Sequence, residues 1–367
     1  MPSHGAAGRG HSDGTVSLTR TEELRAENRA RQVWWGFAWA FAVAVLQGAW
    51  YVPSTALHFE APFVELQDDT GGYLLAAVVM TSLNALAVVL AMVLWVLVLG
   101  KGADCVRTAR RVRISRYYLP AGFLGGPIAI FGVFLAIGFV GGVFGAVAGV
   151  LFPAVGATTA KLWYREKITR RAAAGIGVLL LGAVLIFVPG IVDEIVGAGS
   201  TAWIGYLGGA MAIVGWGVEG AVAGRALDVS DPDVGLTLRF VAETLLWFVV
   251  IVPITTVFVG SDLPRLFVAA LGNVNVLWLL VLAGLTFGYC YVSWYKSFPL
   301  IGVGRAQAIA ILFGPIGLLW LAVFTLDLPE WNFVVGAIVA VAGSFVLFTE
   351  KRDVLEVIRT VPPSHGT

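Results

Sequence analysis

Two glutamates inside long apolar segments have the most distinctive chemistry of this chain. Glu219 and Glu243 stand among aliphatic and aromatic residues. A carboxylate at the centre of a bilayer costs about 2.5 to 3.5 kcal/mol even on the mildest insertion scale, so its presence indicates a cation site or a proton carrier. Structural alternatives remain open. Glu219 could pair with Arg225 or Lys296 near a helix end, and Glu243 with Arg239, four residues earlier on the same helical face.

Aromatic and amide side chains in other apolar segments are candidates for the same site. A ring face attracts an ammonium group, and an amide orients a polar ligand. Each ring could instead belong to the packed core, and each amide could bond a neighbouring helix. With Glu219, the predicted substrate-binding residues are Gln47, Trp50, Trp216, Tyr289 and Gln307. Proton coupling is assigned to Glu219 and Glu243.

Composition places these residues in a membrane protein. Hydrophobic residues make up 58% of the 367 residues and charged residues only 13%, and the mean hydropathy is +0.86. Soluble domains carry about a quarter charged residues. The apolar runs lack the alternation of a membrane β-barrel, so we expect an all-α integral membrane fold. Ten windows of about 20 residues fit bilayer-spanning helices: 33–56, 74–100, 119–139, 142–163, 172–191, 203–224, 240–259, 275–295, 303–325 and 331–349.

Basic residues predict the orientation of these ten windows. With a cytoplasmic amino terminus, all of the 24 lysines and arginines except Arg265 fall in inside segments, Arg239 among them. This bias is the one that orients membrane helices, so both termini are predicted to be cytoplasmic. Residues 1–32 then form a cytoplasmic extension, in which a short charged helix ends at Arg31, and residues 350–367 form a cytoplasmic tail.

The second half of the chain repeats the first. Gly122 and Gly126 recur 162 residues later as Gly284 and Gly288, and Gly175 and Gly182 recur at a shift of 161. Each copy, 33–191 and 203–349, covers five windows, and an odd number of spans makes the copies face opposite ways. Aligning the first and sixth windows places Glu219 opposite Trp50.

Three ordered motifs resemble a known transporter family. Residues 162–169 read Leu-Trp-Tyr-Arg-Glu-Lys-Ile-Thr, residues 46–51 read Leu-Gln-Gly-Ala-Trp-Tyr, and a third element covers residues 294–306. Together they resemble the ten-helix EamA-like branch of the drug/metabolite transporter superfamily. The resemblance implies a permease, a secondary carrier with a central cavity between two inverted repeats, worked by alternating access.

The sequence contains few of the residue combinations that enzyme active sites require. The four histidines, His4, His11, His58 and His365, all lie outside the predicted windows, which argues against an intramembrane metal cluster. Serine and cysteine have no histidine partner within the membrane for a catalytic triad or dyad. We therefore expect no enzyme activity, cofactor or metal. The net charge of +1, distributed over two leaflets, does not indicate a nucleic-acid partner.

These observations predict a secondary carrier of the cytoplasmic membrane for a small organic solute. An amine or quaternary ammonium compound is favoured, with proton coupling through Glu219. One alternative is an exporter of amino acids or other neutral metabolites, in which Glu219 is structural. Another is a membrane scaffold or sensor on the same fold. A cavity with inward-facing polar groups would favour the carrier, and a centre filled by Trp and Phe the scaffold.

Overall fold

The computed structural model describes residues 20–67, 69–164, 169–197, 201–227, 230–260, 262–326 and 330–348. The described chain is helical, and no strand occurs in it. Three of the predictions from the sequence concern residues that the structure does not describe. Positions 1–19 of the amino-terminal extension, positions 165–168 of the first motif and the tail 350–367 lie outside the described residues.

Twelve helices bear on the site and its surroundings. Short helices at Gly102–Arg110 and Asp262–Gly272 connect some of them. The twelve are α1 (Arg20–Leu57), α2 (Thr70–Val98), α3 (Val112–Phe139), α4 (Gly142–Ala148), α5 (Phe152–Tyr164), α6 (Arg170–Gly197), α7 (Ala202–Leu227), α8 (Pro232–Val259), α9 (Val274–Ile301), α10 (Val303–Ala310), α11 (Phe313–Thr325) and α12 (Trp331–Phe348).

Six of the described helices are long and apolar enough to cross a membrane: α1 from Ala30 onward, α2, α3, α7, α8 and α9. This confirms an all-helical fold of a multi-pass membrane protein. The windows 142–163 and 303–325 are each divided in the structure. A 3₁₀ turn at Gly149–Leu151 separates α4 from α5, and residues 311–312 separate α10 from α11.

The first helix is longer than the sequence indicated. A separate charged helix was expected to end at Arg31, but α1 runs without a break from Arg20 to Leu57. No glycine or proline stands between residues 20 and 35 to interrupt it. Residues 20–32 of the extension and the first apolar window therefore form one continuous helix.

The start of α8 corrects the predicted position of Arg239. The Asp231 side chain accepts hydrogen bonds from the amides of Asp233 and Val234, and Pro232 occupies the first helical position. A capping aspartate followed by proline is a strong helix start. The helix thus begins eight residues before the predicted window, and Arg239 lies two turns inside it instead of in an inside loop.

Packing arranges the long helices in pairs. α1 lies against α9 and α11, while α7 lies against α3 and α5. α2 packs on α8 and α9, and α6 packs along α12. Glycines make close contacts at the last pair: Gly182 contacts the backbone of Gly336, and Gly343 contacts the backbone of Gly175.

Candidate functional site

A cluster of three charged side chains lies inside the helix bundle, formed by Glu219 of α7 and by Arg239 and Glu243 of α8. All three are 0% exposed. Arg239 Nε donates to Glu219 Oε1 at 2.6 Å, and its Nη1 donates to Glu243 Oε2. Tyr291 of α9 donates its hydroxyl hydrogen to Glu219 Oε2 at 2.8 Å. We call these three charged residues the Arg239 cluster.

Two adjacent glycines of α3 make room for the Arg239 cluster. A Cβ atom at Gly125 would collide with the Arg239 guanidinium and the Glu219 carboxylate, and one at Gly126 would collide with the Glu243 side chain. Both lie in a π-helical turn, Leu124–Ile130, which includes Pro127. Proline cannot donate the backbone hydrogen bond of a regular α-helix, and π turns are frequent at functional sites. The bare backbone of this turn is one wall of the cluster.

Substitution Gly125→Ala should lower the free energy of unfolding by about 1 to 3 kcal/mol, because the new methyl group displaces a buried ion pair. Thermal unfolding of the purified protein in detergent measures the effect. Gly177→Ala is the matched control, since Gly177 lies in a helix with open space around its Cα. That variant should match the wild type or gain up to about 1 kcal/mol. Equal melting temperatures for both variants would contradict the packing.

With both glutamates ionised, the Arg239 cluster would have one negative charge more than its guanidinium can neutralise. Glu219 uses both carboxylate oxygens in hydrogen bonds, to Arg239 and to Tyr291. Glu243 uses only Oε2, and its buried Oε1 has no partner among the described residues. A buried unpaired charge is costly unless a proton or a cation neutralises it. The free oxygen of Glu243 is therefore the place where a proton or a cation can bind.

Of the ion pairs expected as structural alternatives, the structure contains one. The pair between Arg239 and Glu243 is confirmed. Glu219 pairs with Arg239, whereas Lys296 pairs with Asp233 at 3.2 Å and Arg225 lies exposed on the surface. Sequence reasoning missed Arg239 as the partner of Glu219 because it placed this residue in a loop.

Three of the predicted ligand residues lie near the cluster along the chain or in space. Trp216 lies one turn before Glu219 on α7, and its carbonyl accepts a hydrogen bond from Gln307 Nε2 at 3.4 Å. Gln307 is fully buried, and its Oε1 has no partner among the described residues. Gln47 of α1 lies 4.0 Å from the sulfur of Cys290, the neighbour of Tyr291.

Trp50 is connected to the cluster through rings. Its Nε1 donates to Asn84 Oδ1 at 3.1 Å, and its ring lies 4.4 Å from that of Phe287. The Phe287 ring lies 4.9 Å from Tyr291, which bonds Glu219. Tyr289 does not lie with the other predicted ligand residues. It is 38% exposed and packs edge-on against Trp95, with 5.4 Å between the ring centroids.

Aromatic side chains fill the space around these residues. Trp294 lies 5.2 Å from Tyr291 and 5.0 Å from Phe298 between ring centroids. Phe152 stacks on Phe313 at 6.0 Å, and both rings contact Trp216. The centre of the described bundle is thus closed by rings in this structure.

A second charged cluster lies where α2 ends and α8 begins. We call it the Asp233 cluster: Lys101, Asp231, Asp233 and Lys296. Lys101 Nζ lies 2.8 Å from Asp231 and 2.7 Å from Asp233, and Lys296 Nζ also lies near the rings of Trp39 and Trp95. Burial lowers the pKa of Lys101, but hydrogen bonds to the two aspartates outweigh it and raise that pKa. The Asp233 cluster joins α1, α2, α8 and α9 at one end, which we call the basic end.

A cleft of about 600 Å³ opens at the opposite end of the bundle. Its lining includes Thr55 in the last turn of α1, His58 directly after that helix, Tyr73 of α2, and residues 138–142. We call it the His58 cleft. Nδ1 of His58 shares a hydrogen bond with the Tyr73 hydroxyl at 2.5 Å. The second ring nitrogen, Nε2, is buried and has no partner among the described residues.

Acid should destabilise the protein through His58. Burial lowers the pKa of His58 from 6.5 to about 3, so below pH 6.5 the unfolded chain binds a proton that the folded protein does not. This share of stability is present above pH 6.5 and is lost as the pH falls, by roughly 3 kcal/mol at pH 4.5. Melting temperatures of the wild type and a His58→Gln variant between pH 7.5 and 4.5 measure it. Parallel curves would contradict a buried neutral imidazole.

Comparisons with known proteins identify the fold alone. No family model matches the chain, and no curated protein matches it. A solved structure described as "Crystal structure of protein" is similar over 85% of this chain and 96% of its own, with a TM-score of 0.54 and 17% sequence identity. At that identity the likeness concerns the arrangement of helices. The helical arrangement described above is therefore shared with a solved protein.

Proposed function

We propose that this protein is a secondary-active transporter of a small organic solute that works by alternating access. Its architecture would be ten membrane helices in two inverted five-helix repeats, residues 33–191 and 203–349. It would lie in the cytoplasmic membrane with both termini inside, as in the EamA-like carriers that its motifs resemble.

The helix contacts support the proposed repeat. In the proposed repeat, α1 corresponds to α7, α3 to α9 and α5 to α11. The contact between α1 and α9 then has its equivalent in the contact between α7 and α3. In the same way, the contact between α1 and α11 has its equivalent in the contact between α7 and α5. All four contacts occur. Two halves with equivalent packing are the basis of alternating access, because exchanging their conformations opens the opposite side.

The glycine contacts between α6 and α12 follow the same exchange. Gly175 and Gly182 of the first copy correspond to Gly336 and Gly343 of the second. Gly182 contacts the Gly336 backbone, and Gly343 contacts the Gly175 backbone. These two contacts are interchanged when the copies are interchanged. They support a two-fold axis that passes between the helices.

The presence of two fully buried carboxyl groups beside one guanidinium in the Arg239 cluster is the observation that carries the proposal. A membrane scaffold gains nothing from two buried carboxylates beside one guanidinium. A proton-coupled carrier needs a buried group that is alternately protonated and ionised. We assign the transported proton to Glu243, whose Oε1 is free, and assign Glu219 to anchoring Arg239 and Tyr291.

An amine or quaternary ammonium compound remains the favoured solute. A cation could neutralise the surplus charge in place of the proton, which would couple the two fluxes. In the alternative, a neutral metabolite moves, and Glu243 as well as Glu219 has a structural role only. The ring-filled centre favours the scaffold or sensor. In a carrier, however, the same packing corresponds to an occluded state between the two open ones.

Transport by reconstituted protein tests the proposal. Proteoliposomes with an imposed pH gradient would be offered labelled choline, putrescine, alanine and glucose, with empty liposomes as the background. The expected result is uptake of a cationic solute that follows the gradient. Gradient-independent movement of alanine would favour the neutral-metabolite alternative, and no uptake of any solute would favour the scaffold.

Opening of the basic end should depend on the Asp233 cluster. Asp233 accepts hydrogen bonds from Lys101, Lys296 and Trp95, so Asp233→Asn removes the charge that joins α8 to the end of α2 and to α9. Buried Cys290 then reports access to the interior through alkylation by N-ethylmaleimide in a Cys105→Ser background. We expect labelling to become about tenfold faster, which corresponds to a shift of about 1.4 kcal/mol between closed and open states.

Asp104→Asn is the control for this experiment. Asp104 pairs with Arg107 within one exposed helix, at 3.2 Å, and such a pair contributes little. Its removal should leave the labelling of Cys290 unchanged. If Asp233→Asn and Asp104→Asn gave the same labelling rate, the Asp233 cluster would not close the basic end.

A further inference from the structure

The His58 cleft has the size and polarity of a ligand site. Its volume of about 600 Å³ lies within the range of small-molecule pockets, about 300 to 1,000 Å³. It lies at the end of the bundle opposite the Asp233 cluster, where α1 ends and α2 begins. The cleft therefore opens at the end of the described bundle that the Asp233 cluster does not join.

Two buried polar atoms at the cleft have no protein partner. Thr55 Oγ1 and His58 Nε2 are unbonded among the described residues, although both side chains are more than nine-tenths buried. Several other threonines of the described helices use their hydroxyl groups to donate to the carbonyl four residues earlier. Thr81 donates to the Ala77 carbonyl at 2.7 Å, and Thr237 donates to the Asp233 carbonyl at 2.8 Å. An unsatisfied buried polar group is costly, so Thr55 and His58 are suited to a polar ligand group.

The cleft favours a cation over an anion. No Asp, Glu, Lys or Arg is among its described lining residues, and His58 is neutral. The carboxyl end of α3 lies at its wall. There the amides of Val140 and Gly141 both donate to the Ala136 carbonyl. These two amides are therefore not available to the carbonyls of the last helical residues. The carboxyl ends of α1 and α3 both lie here and carry partial negative charge, whereas the amino end of α2 is capped by the Asp69 carboxylate. The aromatic residues Tyr73 and Phe139 also line the cleft, and aromatic rings attract an ammonium group.

We propose that the His58 cleft is an entry subsite for a small organic ammonium ion that carries a hydroxyl or amino group. The α3 carbonyls and the rings hold the charge, while Thr55 and His58 bond the polar group. This inference rests on the proposed transport function. It places the first contact between the solute and the protein at the end of α1 that is farthest from the basic end. Ring contacts lead inward from the cleft: His58 to Phe134 at 6.0 Å, and Phe134 to Trp50 at 6.0 Å.

Equilibrium binding of labelled choline to the purified protein in detergent tests the subsite. Thr55→Val and His58→Gln should each weaken choline binding about fivefold, the effect of one lost hydrogen bond. Thr81→Val is the matched control, because its hydroxyl already bonds within the helix. It should bind choline as the wild type does. The neutral analogue 3,3-dimethylbutan-1-ol, which has the shape of choline without its charge, should compete at least tenfold more weakly.

The outcomes separate this inference from the proposed function. If choline binding is lost in Glu243→Gln but unchanged in Thr55→Val and His58→Gln, the cleft is not the subsite and the carrier proposal stands. Equal competition by the neutral analogue would overturn the cationic class of ligand. Failure of choline to bind the wild type would also overturn the inference, while pH-driven uptake of another solute would leave the carrier proposal intact.

Discussion

Replacing Arg239 by methionine will lower the free energy of unfolding by about 3 to 5 kcal/mol, the cost of removing one partner from a buried ion pair. The guanidinium bonds both carboxylates and lies 4.7 Å from the centroid of the Tyr291 ring. Without it, two buried carboxylates face each other with no counterion. Thermal unfolding in detergent, or titration with a denaturing surfactant, measures the loss.

A triple variant, Glu219→Gln, Arg239→Met and Glu243→Gln, separates the charge from the packing. Neutral side chains of similar size replace all three charged ones, and replacing a whole buried ion pair is often neutral or stabilising. We therefore expect the triple variant to recover most of the stability lost by Arg239→Met. If the triple variant were no more stable than the single one, unpaired charge would not be the cause.

Glu243→Gln should abolish the pH-driven part of transport. The amide cannot take up or release a proton, so the group with the free carboxylate oxygen, to which the transported proton is assigned, is lost. We expect uptake driven by a pH gradient to fall to the level of empty liposomes. Exchange of labelled for unlabelled cationic solute at equal pH should weaken as well, because the cation is proposed to neutralise the same carboxylate in place of the proton.

The two glutamates are matched controls for each other. Glu219 has both oxygens bonded, so Glu219→Gln should chiefly lower the melting temperature. Glu243→Gln should chiefly abolish the uptake of solute that a pH gradient drives. The measurement is gradient-driven uptake beside thermal unfolding for both variants. Retention of pH-driven uptake in Glu243→Gln, with its loss in a stably folded Glu219→Gln protein, would move the proton to Glu219.

The sequence predicts the charged site in part. Glu219 and Glu243 are conspicuous because carboxylates are rare in apolar segments, and the four-residue spacing of Arg239 and Glu243 already indicates their pair. The link from Arg239 to Glu219 was missed, since the predicted window began at residue 240. The signal was present in Asp231-Pro232, a helix start that carries Arg239 two turns into α8.

Other parts of the site depend on tertiary packing. Tyr289 and Tyr291 lie two residues apart on α9, and consecutive residues of a helix are rotated by about 100°. Their side chains therefore lie on different faces, and the apolar sequence of α9 does not distinguish the face that meets α7 and α8. Gly125 and Gly126 likewise resemble ordinary helix-packing glycines until the neighbouring charges are placed. Six helices of spanning length were predictable from hydropathy alone.

The unbroken length of α1 has a mechanical consequence. Its 38 residues extend about 57 Å, nearly twice the hydrocarbon thickness of about 30 Å. Because Trp39 lies beside Lys296 at the basic end, the first turns of α1 project from that end as a lever. Residues 20–29 lie outside the candidate span Ala30–Leu57, so a rocking of 10° about the membrane surface would move the tip of this projection of about 15 Å by about 3 Å. Spectroscopic distance measurements from the start of α1 would then detect each transport cycle outside the membrane.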